Sequence, residues 1–185
     1  MEKKRSESWE WVKAIAIALL LAFVIRTFMF ASVVVDGESM QPTLEPDDKL
    51  IVNKIGLQLS EPERFDIMVF HAPGGNDYIK RVIGLPGEEI EYKDDTLYVN
   101  QEPVAEPFLD EMKQRYEGEI LTGDFTLEEL PHALGPVVPE DSYFVMGDNR
   151  RRSKDSRDIG AVHKEDMIGG ASLTFWPIRN IKITE

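Results

Sequence analysis

The chain has 185 residues, and its 34 acidic against 21 basic side chains give a formal net charge of −13. That length holds a short anchoring segment and one globular domain but not two large ones, and the acidic balance argues against a nucleic-acid partner, because a phosphate backbone attracts a basic stripe. With no cysteine there is no disulfide framework, thiolate nucleophile or cysteine-based metal site.

Lys3, Lys4, Arg5 and Lys13 precede an apolar run at 14–25, which Arg26 and Thr27 interrupt before apolar character resumes at 28–35. The run approaches the roughly 20 residues that a bilayer core demands. The basic preface predicts a cytoplasmic amino terminus with the rest of the chain on the outer face. Trp9 and Trp11 suit an inner interfacial belt. Arg26 is expected to snorkel to the outer headgroups, since a guanidinium at mid-bilayer costs about 2.5–3.5 kcal/mol. A cleaved secretory signal is the rival reading, although Met29-Phe30-Ala31 is a poor cleavage site. A buried core helix leaves the basic preface and the tryptophans unexplained.

Beyond residue 35, short β-rich runs bounded by Pro, Gly and Asp follow at 49–54, 66–71, 78–83, 88–92 and 96–100, a spacing that predicts a mostly antiparallel β domain. Pro73-Gly74-Gly75-Asn76-Asp77 and Leu85-Pro86-Gly87-Glu88 read as turns, with Gly87 suited to positive φ. Asn100-Gln101 reads as a hairpin tip. From 105 to 140 the chain is acidic and proline-punctuated, with short helices expected at 109–116 and 125–134. The β pattern returns at 142–147 and 170–176. The predicted organisation is a cytoplasmic tail (1–13), a transmembrane anchor (14–32), a catalytic β core in two parts (33–104 and 141–185) and an inserted cap (105–140).

Two side chains suggest chemistry. A serine hydroxyl attacks well only when a neighbouring base takes its proton, and lysine serves as that base only when its pKa falls by about three units. Lys80 sits in a predicted strand where Tyr78, Ile79, Val82 and Ile83 can wall it from water, with Arg81 on the opposite face adding a repelling charge. Ser39 follows Gly37 and precedes Pro42, a bend where its hydroxyl and a backbone N–H can face one cleft and stabilise an oxyanion. The segment Gly147-Asp148-Asn149-Arg150-Arg151-Arg152-Ser153-Lys154-Asp155-Ser156-Arg157 packs hydroxyls and opposed charges too densely for a plain surface loop.

In this order, behind an anchor, the motifs Ser39-Met40-Gln41-Pro42-Thr43, Lys80-Arg81-Val82-Ile83-Gly84-Leu85-Pro86-Gly87, Gly147-Asp148-Asn149-Arg150 and Phe175-Trp176-Pro177 span nearly the whole chain. The sequence resembles the bacterial type I signal peptidases, membrane serine proteases that remove signal peptides from exported preproteins. The resemblance implies a signal-peptidase β fold behind a single-pass anchor in a bacterial plasma membrane. It implies Ser39 as nucleophile, forming an acyl-enzyme, and Lys80 as general base. Ser153 would hydrogen-bond the lysine amine. Asp148, Asp155 and Arg157 would brace the loop through charge pairs, Arg81 joining one aspartate, and Met40 would pack beside the nucleophile. Two features depart from common family patterns: Gly37 stands where some members carry a hydroxyl, leaving the oxyanion to backbone N–H groups including that of Ser39, and Arg151-Arg152 replace small polar residues.

The expected partners are preprotein signal peptides and a phospholipid membrane. An extended peptide would lie between the edges at 33–36 and 77–80, touching Val33, Val35, Asp36, Asp77, Tyr78 and Ile79, with pockets at Val33, Val35 and Ile79 admitting small side chains. No cofactor or metal is expected, since the acidic residues are scattered without paired ligands at helical spacing. His71, His132 and His163 raise a Ser-His-Asp triad, but none lies in a distinctive context. Two other classes compete: an anchored β domain that binds exported proteins without cutting them, and a self-cleaving repressor relative. The repressor would carry a helix-turn-helix where this chain has its apolar run.

Overall fold

The computed structural model describes residues 7–132 and 134–183. Lys3, Lys4 and Arg5 lie outside the described residues, as does the side chain of Arg26. The apolar run belongs to helix α1 (Glu7–Met29), and strand β1 (Phe30–Val34) follows at once. The anchor expected to reach residue 32 therefore overruns the helix: residues 30–32 pair with 51–53 instead. Among the described residues no helix is long and apolar enough to cross a membrane. The described part of α1 nevertheless leaves Leu19, Leu20 and Leu21 exposed in succession. Consecutive helical positions point about 100° apart, so the helix turns no consistent face to the β domain.

The remaining strands are β2 (Lys49–Asn53), β3 (Ile67–His71), β4 (Asp77–Gly84), β5 (Ile90–Lys93), β6 (Thr96–Val99), β7 (Glu102–Val104), β8 (Phe125–Thr126), β9 (Ser142–Met146), β10 (Val162–His163), β11 (Met167–Trp176) and β12 (Lys182–Ile183). The larger sheet runs β1-β2-β11-β3-β4-β9-β10, with β12 also paired to β11; the smaller runs β7-β6-β5-β8. Every pairing is antiparallel, as the fold-class expectation requires. Short helices α2 (Gly56–Leu59), α3 (Asp110–Arg115) and α4 (Ser156–Ile159) decorate the connections.

Strands β3 and β9 read as nearly continuous apolar runs because both of their faces are covered. Ile67 and Val69 join Leu50, Val52 and Ile79 in one apolar cluster, while Met68 and Phe70 join Val82, Tyr143 and Val145 in another. A third cluster, with Ile83, Phe144, Tyr92 and Leu97 among its members, binds the two sheets together. The hairpin expected at Asn100-Gln101 is present, and both residues take the positive φ that a two-residue type I′ turn needs. Among the described residues the helix expected at 125–134 is absent. Residues 125–126 pair with β5 and then turn into a 3-10 segment that Thr126 and Glu129 cap reciprocally, and this ends the periodic reading.

Candidate active site

Ser39 lies in the turn after β1, and Lys80 is the fourth residue of β4. The turn is shaped by Gly37, whose φ of +93° is a left-handed conformation that side-chain-bearing residues rarely adopt. It is tied to the 147–157 loop by Asn149, whose backbone N–H donates to Ser39 O at 3.0 Å and whose side-chain amide donates to Glu38 O at 3.1 Å. Gly147 packs so closely on the Ser39 carbonyl and the Ser153 hydroxyl that a Cβ there has no room.

Across forty residues of sequence the fold brings the Lys80 amine to 2.8 Å from Ser39 Oγ, with a second hydrogen bond of 2.9 Å to Ile79 O. Lys80 is 4% exposed. Burial lowers its pKa from 10.5 to about 8, against the charges of Asp155 and then Asp148, which favour the ammonium. Of the four neighbours expected to wall the amine, Tyr78 stacks its ring beneath it at 5.1 Å. Ile79, Val82 and Ile83 belong to three separate apolar clusters.

Two expectations need correction. Arg81 does not act as a repelling charge: its buried guanidinium grips the Asp148 carboxylate through Nε at 2.9 Å and Nη2 at 2.7 Å, and Thr43 donates to the same carboxylate. Ser153 does not bond the lysine amine. Its hydroxyl is buried against Gly147, while the amine is taken up by Ser39 and Ile79 O. The loop brace itself is present. Arg157 forks onto Asp155 at 2.8 and 2.9 Å, and Asp155 accepts from Gly147 N at 3.0 Å. Burial alone would raise the Asp155 pKa, but the Arg157 hydrogen bonds and charge and the Gly147 N–H outweigh it and hold the carboxyl below its ordinary range. Arg151 and Arg152 fit by turning outward, Arg151 to Glu119 and Arg152 to Glu38 at 2.9 Å.

Val33, Val35, Asp36, Asp77, Tyr78 and Ile79 all line one cleft of about 280 Å³ that also contains Ser39, Met40, Lys80, Arg152 and Lys154. Strand β9 pairs with β4 only from Arg81 onward, and β1 pairs with β2 alone, so the cleft is flanked by two strand edges without a ladder partner among the described residues. A cavity of about 260 Å³ elsewhere, lined by Asn53, Glu61, Asp66 and Gly170 among others, lacks this hydroxyl–amine pair. His71 faces Asp77 at 2.7 Å and His132 bonds Asp158 O. Among the described residues no group of three or more His, Asp and Glu side chains is placed to hold a metal ion. Asn149 and Thr43 lie within the quoted motifs but received no role from sequence. Glu106, which pairs with Arg150, lies in no motif and gave no signal.

A half-buried hydroxyl hydrogen-bonded to a buried amine inside one cleft is an arrangement that nucleophilic hydrolysis by a serine can use. The sequence matches the family described as "Signal peptidase, peptidase S26" over residues 8–176. It is 40% identical over 180 residues to signal peptidase IB of Staphylococcus aureus and 46% identical over 178 residues to signal peptidase I of Bacillus caldolyticus, in both cases covering 96% of this chain and 94% of the relative. A crystal structure of a signal peptidase I from Enterococcus faecalis superposes with a TM-score of 0.58 at 47% identity, over 60% of this chain and 97% of that one. The chain belongs to the signal peptidase family, peptidase S26, and is a serine peptidase.

Proposed function

We propose that this chain is a membrane-anchored endopeptidase that removes signal peptides from exported preproteins after small residues. Ser39 attacks the scissile carbonyl while Lys80 takes the hydroxyl proton, and Lys80 then returns that proton to the leaving amine. The acyl-enzyme on Ser39 is released by water that Lys80 activates in turn. The oxyanion rests on backbone N–H groups, that of Ser39 included, because Gly37 offers no hydroxyl. The substrate enters as an extended strand between the edges at 33–36 and 77–80, and Val33, Val35 and Ile79 leave room for small side chains. Ser153, Asp148, Asp155, Arg157 and Arg81 keep the loop against the dyad. Ser153 acts by packing on Gly147 in place of the hydrogen bond assigned from sequence.

The observation that carries this reading is the 2.8 Å hydrogen bond from a desolvated lysine to a serine inside a cleft flanked by two strand edges that have no ladder partner among the described residues. The exposed leucines of α1 support the anchor, since a helix apolar on every side calls for an apolar surround. On this reading the chain is a single-pass protein of a bacterial plasma membrane, its amino terminus cytoplasmic and its β domain on the outer face. Purified protein in lipid should cut a preprotein after an Ala-x-Ala-like site, and Ser39→Ala and Lys80→Met should each abolish the cut. Cleavage surviving in either variant rejects the dyad, and a non-cutting binding module would survive both substitutions unchanged.

A further inference from the structure

A second buried charge cluster centres on Arg150. The Arg150 guanidinium is wholly enclosed and donates to four groups: Gly147 O at 3.1 Å, Tyr92 Oη at 2.5 Å, Thr122 Oγ1 at 3.4 Å and Glu106 Oε1 at 2.6 Å. Tyr92 Oη in turn donates to Glu106 Oε1 at 2.7 Å. Two of these partners, Glu106 and Thr122, come from the 105–140 segment, and Tyr92 comes from the smaller sheet. The Phe108 ring of the same segment is near two cations, its centroid 4.1 Å from the Arg81 guanidinium and 5.8 Å from that of Arg150.

The cluster reaches the dyad through the loop backbone. Arg150 O accepts from Arg157 Nη2 at 2.9 Å; Arg157 holds Asp155; Asp155 holds Gly147 N; and Gly147 packs on the Ser39 carbonyl. A buried ion pair adds little net stability over an apolar substitute of the same volume, so stabilising the fold is a weak reason for placing one here. Holding one loop in one place is a use that fits the geometry.

We propose that Glu106, with Tyr92 beside it, is a positioning residue for the hydrolysis: by fixing Arg150 it holds the 147–157 loop against the Ser39 turn and Lys80, so that the smaller sheet and the 105–140 segment form part of the catalytic apparatus. The proposal rests on the Ser39–Lys80 reading given above. It separates Glu106 from a simple staple between sheets, which would change stability and nothing else. Spatial connection alone does not establish coupling, so the test must read the chemistry.

The full chain in lipid, as parent, Glu106→Gln, Tyr92→Phe and Ser39→Ala, is assayed on a signal-peptide substrate across pH 6–10 alongside urea unfolding. Glu106→Gln is expected to lower kcat about tenfold or more with KM nearly unchanged. The acid limb of its rate profile is expected to move to lower pH, because a displaced Asp155 no longer supports the Lys80 ammonium. Tyr92→Phe, which keeps the charge pair and removes the hydroxyl's two hydrogen bonds, to Arg150 and to Glu106, is expected to show the same changes in smaller measure, and it carries the test if Glu106→Gln fails to fold. A lowered unfolding midpoint with kcat and profile per folded molecule unchanged overturns the proposal while leaving the dyad intact. Activity retained in Ser39→Ala overturns the dyad and the proposal with it.

Discussion

In the proposed mechanism Lys80 ties the rate and the stability of the protein to the same proton. With its pKa near 8 the amine is largely charged at neutral pH, so kcat/KM for peptide cleavage should climb with pH and level off above about 8. A profile with its midpoint near 6.5, the ordinary histidine value, would point to an imidazole base instead. The stability linkage has the sign of a lysine whose folded pKa is depressed. Below about 8 both folded and unfolded chains hold the proton and the folded state bears the whole penalty of a buried charge. Between 8 and 10.5 the folded state has released the proton while the unfolded state keeps it, so stability rises with pH in that window. Lys80→Met should therefore unfold at higher urea than the parent below pH 8, by an amount on the order of 3 kcal/mol, and the advantage should shrink toward pH 10.5. Equal midpoints at every pH would show that the amine carries no such penalty. Gly37 provides a second test at this scale. A Cβ there meets nothing within 4 Å, so only its φ of +93° opposes a side chain; Gly37→Ala should cost about 1–2 kcal/mol, measurable by chemical unfolding.

At the scale of elements, β4 and the 147–157 loop are joined by a charge pair that neither could bury alone. Arg81 and Asp148 are 1% and 0% exposed. Asp148→Asn keeps the shape but strands the guanidinium, and should cost about 3–5 kcal/mol in urea unfolding; a loss within 1 kcal/mol would mean that other acceptors around Arg81, such as Phe65 O, are enough. The sequence made much of this legible because strand periodicity and loop punctuation are local signals. Runs at 49–54, 66–71 and 78–83 fall within a residue or two of β2, β3 and β4, and the acids near Arg81 were visible in the dense loop. What escaped depends on partners far along the chain. Glu106 looks like any acidic residue until the fold brings Tyr92 of β5 and Arg150 of the 147–157 loop onto it, 14 and 44 positions away. Likewise the helical pattern at 125–134 loses to a two-residue pairing with β5 that no local propensity announces. The hydrogen bond expected of Ser153 came from the family resemblance, and in the fold the Ile79 carbonyl is the lysine's second acceptor.

The molecule as a whole sets a helix with apolar side chains on every side beside a domain whose cleft holds Ser39 and Lys80, in a chain that is net acidic. If α1 holds the domain at a bilayer, a signal peptide held in the same bilayer meets the cleft by a two-dimensional search, and tethering raises its effective concentration without any added contact. The advantage should vanish when the tether is weakened, while the chemistry persists. Leu19→Arg with Leu20→Arg puts two guanidinium groups at the middle of the apolar run, at about 2.5–3.5 kcal/mol each on the insertion scale. Both side chains lie on the exposed surface of α1, away from the β domain's core. The double variant should leave the membrane fraction and process a membrane-held preprotein far more slowly than the parent. Its kcat/KM for a short soluble peptide should stay within twofold or so, since no group near Ser39 has moved. Equal loss on both substrates would place α1 in the folding of the β domain, and no loss on either would remove the tether from the mechanism.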